Sequence, residues 1–221
     1  MNLPRTLEPE SMDTAEEAAE YEAMNHSAVN QRFVDDLIAG GSVGMRIVDL
    51  GCGPAAIPIL LAQRLPEVQI MGVDSAVEML EVAKREIDSG GVIDRVCLEH
   101  ADAKVLAGFE DEMADTVISN SLLHHLQQPQ SALATALRLV RPGGRIFFRD
   151  LARPSTAEEV ESLVKQYTGD ESAFAQQLFR QSLHAALTLQ EVKDLAGGLG
   201  ISPEQVQMSS DRHWTIDWHR Q

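Results

Sequence analysis

A chain of 221 residues, 44% of them hydrophobic, is long enough to bury the core of one α/β domain and is not disordered. A formal net charge of −16 argues against nucleic acid as partner, because affinity for phosphate backbones comes from basic side chains that displace counterions. Two cysteines, Cys52 and Cys97, make neither a disulfide framework nor a zinc cluster. With no run of about 18 apolar residues and no export signal, the expected setting is the cytoplasm, without a membrane partner.

Residues 12–40 read as a helix, with Phe33, Val34, Leu37 and Ile38 in an apolar stripe at helical spacing. "RIVDL" is a strand that runs into the glycine-rich turn "GCGPAA", and Pro54 is expected to open a helix to about residue 65. "VQIMGVD" is a strand ending at Asp74, followed by a helix over residues 76–87. Ser75 is its expected N-cap, with Glu78 at the capping-box position. "RVCLEHAD" reads as a strand ending at Asp102, and "ADTVISN" as one ending at Asn120. A helix over 130–140 is stopped by "RPGG", and "RIFFRDL" is the fifth strand. Helical segments follow at 156–167 and 171–186, with a third capped by Thr188. "EQVQMSS" and "HWTIDWHR" close the chain as two short strands.

Strands alternating with helices imply a mostly parallel sheet with helices on both faces. Ligands in such sheets bind outside the carboxyl ends of the strands, where Asp49, Asp74, Asp102, Asn120 and Asp150 are expected to converge. The spacing Gly51-x-Gly53-x-x-Ala56 fits a loose dinucleotide fingerprint. However, Asp49 stands just before the turn, where a carboxylate repels a pyrophosphate and suits a phosphate-free ligand carrying an ammonium group. Asp74, at the end of the second strand, can accept both hydroxyls of a ribose. S-adenosylmethionine combines ribose, adenine, an amino acid and a sulfonium.

"VDLGCGPA", "GVDSAVEML", "ADA", "SNSLLHHL" and "RPGGRIFFRDL" resemble, in order and spacing, the motifs of class I S-adenosylmethionine-dependent methyltransferases. The resemblance is nearest to the small-molecule branch that includes ubiquinone- and menaquinone-type enzymes. It implies a Rossmann-like seven-stranded sheet, mostly parallel with an antiparallel last strand. It also implies one domain over 1–221: a helical lid (1–45), a cofactor-binding core (46–151), a helical insert or cap (152–200) and a C-terminal hairpin (201–221).

By that resemblance Gly51 and Gly53 let the backbone approach the cofactor, and Asp49 orients the loop and the amino group. Asp74 holds the ribose hydroxyls with Ser75 beside it. Met79 packs on the adenine, and Asp102 bonds the adenine amino group next to Ala103. Asn120 lines the methionine portion, and Tyr21 closes from the N-terminal segment. Each has a plainer alternative: a tight turn, a helix cap, a surface acid or a core side chain.

Methyl transfer from a sulfonium is an in-line displacement that needs alignment and exclusion of water, and a base only if the acceptor enters protonated. His124, His125 and Asp150 are the candidates for that role, because imidazole titrates near neutral pH. Arg149 and Asp150 are also candidates for a structural ion pair. The seven histidines are scattered without H-x-x-x-H spacing, so no metal site is expected. The acceptor is expected to be a small molecule. Whether the insert serves as lid, homodimer surface or both stays open. So do two alternatives: other use of the cofactor (cyclisation or aminocarboxypropyl transfer), and a non-catalytic binding module. A nicotinamide enzyme is disfavoured by Asp49 and the terminal hairpin.

Overall fold

The computed structural model describes residues 3–8 and 27–221. In chain order these form α1 (Ser27–Ala39), β1 (Arg46–Leu50), α2 (Ala56–Arg64), β2 (Gln69–Asp74), α3 (Val77–Ser89), β3 (Val96–His100) and β4 (Ala114–Asn120). Then come α4 (Pro129–Leu139), β5 (Val140–Leu151), α5 (Ala157–Thr168), α6 (Ala173–Ala185), α7 (Leu189–Gly198), β6 (Val206–Met208) and β7 (His213–His219). The strands lie in one sheet in the order β3-β2-β1-β4-β5-β7-β6. β1 runs parallel to β2 on one side and to β4 on the other, which makes the β1–β4 edge the point where strand order reverses. β7 is antiparallel both to β6 and to β5. Gly143 donates to the Arg220 carbonyl at one end of the β5–β7 ladder, and Ala152 donates to that of Arg212 at the other. The seven-stranded, mostly parallel sheet with an antiparallel end is therefore as expected from the motifs.

The chain divides into two compact units that interleave in sequence. One comprises Ser121–Gln130, Arg149–Ile216 and the described residues 3–8; the other comprises Ser131–Phe148, Asp217–Gln221 and the described residues 27–120. In the second unit the stripe of α1 is buried, with Phe33, Val34 and Leu37 packed among Ile47, Leu61, Ile70, Ile87, Ile118 and Phe147. Phe33 meets Phe147 edge-on at 5.0 Å. Arg145 is buried there too, its guanidinium forked onto Asp217 at 2.6 and 2.7 Å and donating to the Leu37 carbonyl. In the first unit Leu151, Val160, Val164, Leu183 and Ala186 form the core, with Leu3 and Phe179 packed against it. Thr156 and Thr188 each close a capping box, with Glu159 and Glu191 returning the bond.

Several local expectations are corrected. "RPGG" does not end a helix before a strand begins. β5 starts at Val140 and runs through it, because Gly143 and Gly144 bond to Arg220, just past the end of β7. α2 begins at Ala56 rather than at Pro54, after Ala55 takes a left-handed conformation at φ 62°. β3 stops at His100, which leaves Asp102 in the turn beyond it. Ser75 does not cap α3: the helix starts at Val77, and the Asp74 carboxylate accepts the Ala76 N–H at 2.9 Å. Of the segment expected to be helical over 12–40, the structure describes only Ser27–Ala39.

Gly72 on β2 sets how closely the turn after β1 can approach the neighbouring strand. A Cβ there would lie 2.9 Å from the Cys52 Sγ and 3.1 Å from its Cβ, with Leu98 at 3.2 Å on the other side. Gly72→Ala is expected to cost ~1–3 kcal/mol through overpacking, read as a lower urea midpoint with unchanged slope.

Candidate functional site

Between β1 and α2 the backbone turns through three left-handed residues, Gly51 (φ 73°), Gly53 (φ 51°) and Ala55 (φ 62°). Only glycine takes such angles without cost, which is why the first two positions lack side chains. The Gly51 and Cys52 N–H groups both donate to the Val73 carbonyl, at 2.8 and 3.0 Å. The Gly53 N–H donates to Asp74 Oδ2 at 2.8 Å, while Asp74 Oδ1 holds the start of α3. One carboxylate therefore fixes both the turn and the next helix. A Cβ on Gly53 would meet nothing within 4 Å, so the turn has open space beside it.

The register places the neighbouring strand ends at the same level. Asp49 stands opposite Gly72 on β2 and Ile118 on β4, so Gly51, Asp74 and Asn120 lie level across three adjacent strands. Asp49 is buried. Burial, with the Asp74 charge added, pushes its pKa up to about 8. The Asn120 Oδ1 is buried without a hydrogen-bond partner. Met79 is buried beside Ala76 and Val82. Ala103 is buried, while Asp102 is exposed and accepts the Lys104 N–H at 2.8 Å. Ser75 is exposed, and its carbonyl meets His100 Nε2 at 3.1 Å. Cys52 is buried, and desolvation holds its thiol protonated. Tyr21 lies outside the described residues.

The other unit holds a second cluster. His124 Nδ1 lies 2.5 Å from Asp150 Oδ1, and the Asp150 carboxylate also accepts the backbone N–H groups of His124 and Leu151. Glu8 Oε1 sits 3.4 Å from His124 Nε2 and 3.0 Å from His125 Nδ1. The two imidazoles are 4.1 Å apart, tilted by 34°. Ser182 Oγ donates to Glu8 at 3.3 Å. Burial alone would raise the pKa of Asp150, but the His124 ring outweighs it and the net shift is downward. Glu8 is also lowered, its histidine contacts overcoming desolvation. For His124 burial pulls the pKa down, and Asp150 and Glu8 more than reverse it.

Sequence reading thus found His124, His125 and Asp150 and missed Glu8. Glu8 arrives on the short segment of residues 3–8, pinned by Arg5, whose guanidinium donates to the carbonyls of Ala185, His124 and Leu126. Thr6 bonds the His184 carbonyl, and Leu3 packs on the α5–α6 core. Nothing in "LPRTLE" marks such a tether.

Arg149 donates to Thr215, and Asp150 meets His124. Tyr167 and Arg180 are taken up in surface contacts, with Asp211 and Glu161 respectively. His213 is buried and bonded to Ser210, and burial followed by the nearby Arg212 and Arg149 lowers its pKa to about 4.

A family model described as a methyltransferase domain matches residues 42–207. The chain belongs to the class I S-adenosylmethionine-dependent methyltransferases.

A ubiquinone biosynthesis O-methyltransferase of Chromobacterium violaceum is 30% identical over 171 residues, covering 72% of this chain and 70% of that one. A putative S-adenosylmethionine-dependent methyltransferase from Methanococcus maripaludis shares the fold at a TM-score of 0.72 and 18% identity, over 98% of each chain. A phosphoethanolamine N-methyltransferase of Haemonchus contortus, solved with S-adenosylhomocysteine, matches at a TM-score of 0.61 and 20% identity, over 79% of this chain and 37% of its own. Among the described residues no helix is long and apolar enough to cross a membrane.

The residues of this methyltransferase fit its cofactor. The open space beside Gly53 leaves the backbone bare to a ligand. The orphaned Asn120 acceptor and the buried Asp49 carboxylate are what an α-ammonium group would satisfy.

Asp49 makes a stability prediction. With its pKa raised from 3.8 to about 8, the folded protein holds a proton that the unfolded chain has lost across that window. The cofactor-free protein therefore loses stability as pH rises from about 4 to 8. Asp49→Asn should remove that loss and raise Tm at pH 8.5 by roughly 5 °C, with little change near pH 4, measured by calorimetry.

Proposed function

We propose that the enzyme methylates a hydroxyl oxygen of a small molecule. The observation that carries this is the set of buried Asp150 and His124 with half-buried His125 and Glu8. A hydroxyl acceptor has to give up its proton, and these side chains are suited to handle it. The likeness to a relative named as an O-methyltransferase supports the same reading.

When bound, the cofactor supplies a methyl group on a positively charged sulfur, ready for in-line displacement. In our reading the chain's own residues divide the remaining work. Asp49 and the Asn120 Oδ1 take the ammonium of the methionine portion, and the bare backbone at Gly51 and Gly53 lets it come close. Asp74, which holds the turn and the start of α3, takes the ribose hydroxyls. Ser75, Met79, Asp102 and Ala103 belong to the adenosine end, and Tyr21 is assigned to closing over the methionine portion. Asp150 fixes the orientation of His124 through Nδ1, which sets its Nε2 against Glu8, and this group is assigned to the acceptor's end of the reaction.

Two measurements test this. Calorimetric titration with S-adenosylhomocysteine should show affinity rising with pH and levelling above about 8, because a cation favours the ionised form of Asp49. A proton is then released on binding at pH 7, seen as a dependence of the heat on the buffer, and Asp49→Asn loses it. Asp74→Ala should weaken binding more than about tenfold.

Turnover on a panel of phenols, hydroxy acids, amines and thiols, read by mass, should favour oxygen. Asp150→Asn should lower kcat by ~10²–10³-fold while leaving S-adenosylhomocysteine affinity unchanged. Turnover on amines or thiols alone, or an unaffected kcat in that variant, would sink the proposal.

A further inference from the structure

We propose that Glu8, His124 and His125 form a binding site for a divalent transition-metal ion of the zinc type. The inference deepens the reading of this cluster as the acceptor's end of the reaction, but the binding itself is measured without turnover. Three donor atoms, Glu8 Oε1, His124 Nε2 and His125 Nδ1, lie within 4.8 Å of one another. Ligand atoms about 2.0–2.1 Å from a tetrahedral zinc ion stand about 3.3–3.4 Å apart. The observed 3.4 Å from Glu8 Oε1 to His124 Nε2 matches that spacing, and the 3.0 Å to His125 Nδ1 is close to it. Two imidazoles and one carboxylate suit zinc, iron or cobalt rather than magnesium, which prefers oxygen ligands alone.

The surroundings are those of a ligand set. His124 turns its other ring nitrogen onto Asp150, and Asp150 is itself held by two backbone N–H groups. A carboxylate behind a metal-ligating histidine fixes its tautomer and raises its basicity. Ser182 steadies Glu8 from its far side. All three side chains are shielded, at 9%, 4% and 17% exposure for Glu8, His124 and His125. Arg5 sits nearby, yet its guanidinium is spent on backbone carbonyls and clamps the segment that carries Glu8.

Three protein ligands leave a coordination position for an oxygen of the acceptor. A metal held by these three side chains would make a hydroxyl bound to it ionise more readily, its proton passing to water.

The experiment uses the full chain stripped of metal, titrated with Zn²⁺ against a chromogenic chelator and with Co²⁺ followed by visible absorption. Expected is one equivalent of Zn²⁺ at sub-micromolar Kd, Co²⁺ bands of tetrahedral intensity, and no response to millimolar Mg²⁺. Glu8→Gln and His125→Asn should each weaken Zn²⁺ binding by more than the ~10–100-fold that loss of an outer carboxylate costs, while Asp150→Asn falls in that range. S-adenosylhomocysteine titration of the same variants, which retain Asp49 and Asp74, reports separately on the cofactor site and on folding. Should a variant fail to fold, Co²⁺-shifted ring protons from two histidines of the wild-type protein decide the point. Absence of Zn²⁺ binding, or binding with equal affinity in wild type and both ligand variants, would overturn the proposal.

Discussion

Asp74 is the constraint on which the site in the larger unit depends. A strand leaving a parallel sheet must satisfy its last backbone groups while reversing direction, and here the partner is a side chain on the neighbouring strand. With one oxygen on the Gly53 N–H and the other on the Ala76 N–H, Asp74 ties the turn after β1 to the start of α3. The Gly51 and Cys52 bonds to the Val73 carbonyl reinforce the same junction. Gly72 then allows Cys52 to nest against β2. The position and shape of the bare glycine turn follow from these contacts rather than from the glycines alone.

Charge burial separates the two clusters. Asp49 is buried with a second carboxylate nearby, so its charged form is disfavoured below about pH 8. Such a group makes sense where a cation arrives later. Asp150 is also buried and Glu8 half-buried, yet their charges are favoured, because imidazoles stand against each of them. The Asp49 charge is disfavoured by its surroundings, whereas the charges of Asp150 and Glu8 are compensated by imidazoles within the chain.

Periodicity and turn chemistry made most of the larger unit legible. The strands, the glycine turn and the level row of Gly51, Asp74 and Asn120 follow from local patterns read one element at a time. What escaped was set by partners far along the chain. "RPGG" reads as a helix stop, but Arg220 draws it into β5. Ser75 reads as a cap, but Asp74 already holds the helix start from within the strand. The histidine pair was visible as "LLHHL"; the carboxylate that completes it was not, because Glu8 lies in a stretch without periodicity or motif.

The tether of residues 3–8 explains how so short a segment can place a side chain within hydrogen-bond distance of two histidines. Six residues have no core of their own, and closing the chain over the 119 positions between Arg5 and His124 costs entropy that grows only slowly with length. Three kinds of contact offset it: the apolar anchor at Leu3, the Thr6 backbone bond to His184 and the Arg5 guanidinium on several carbonyls. Hydrogen bonds from a charged donor contribute about 1.5–3 kcal/mol each, so Arg5 alone can hold the segment in place. The position of Glu8 is thus fixed from one side by Arg5 and from the other by Ser182 and the imidazoles, which is the preorganisation a ligand atom or a proton-handling group requires.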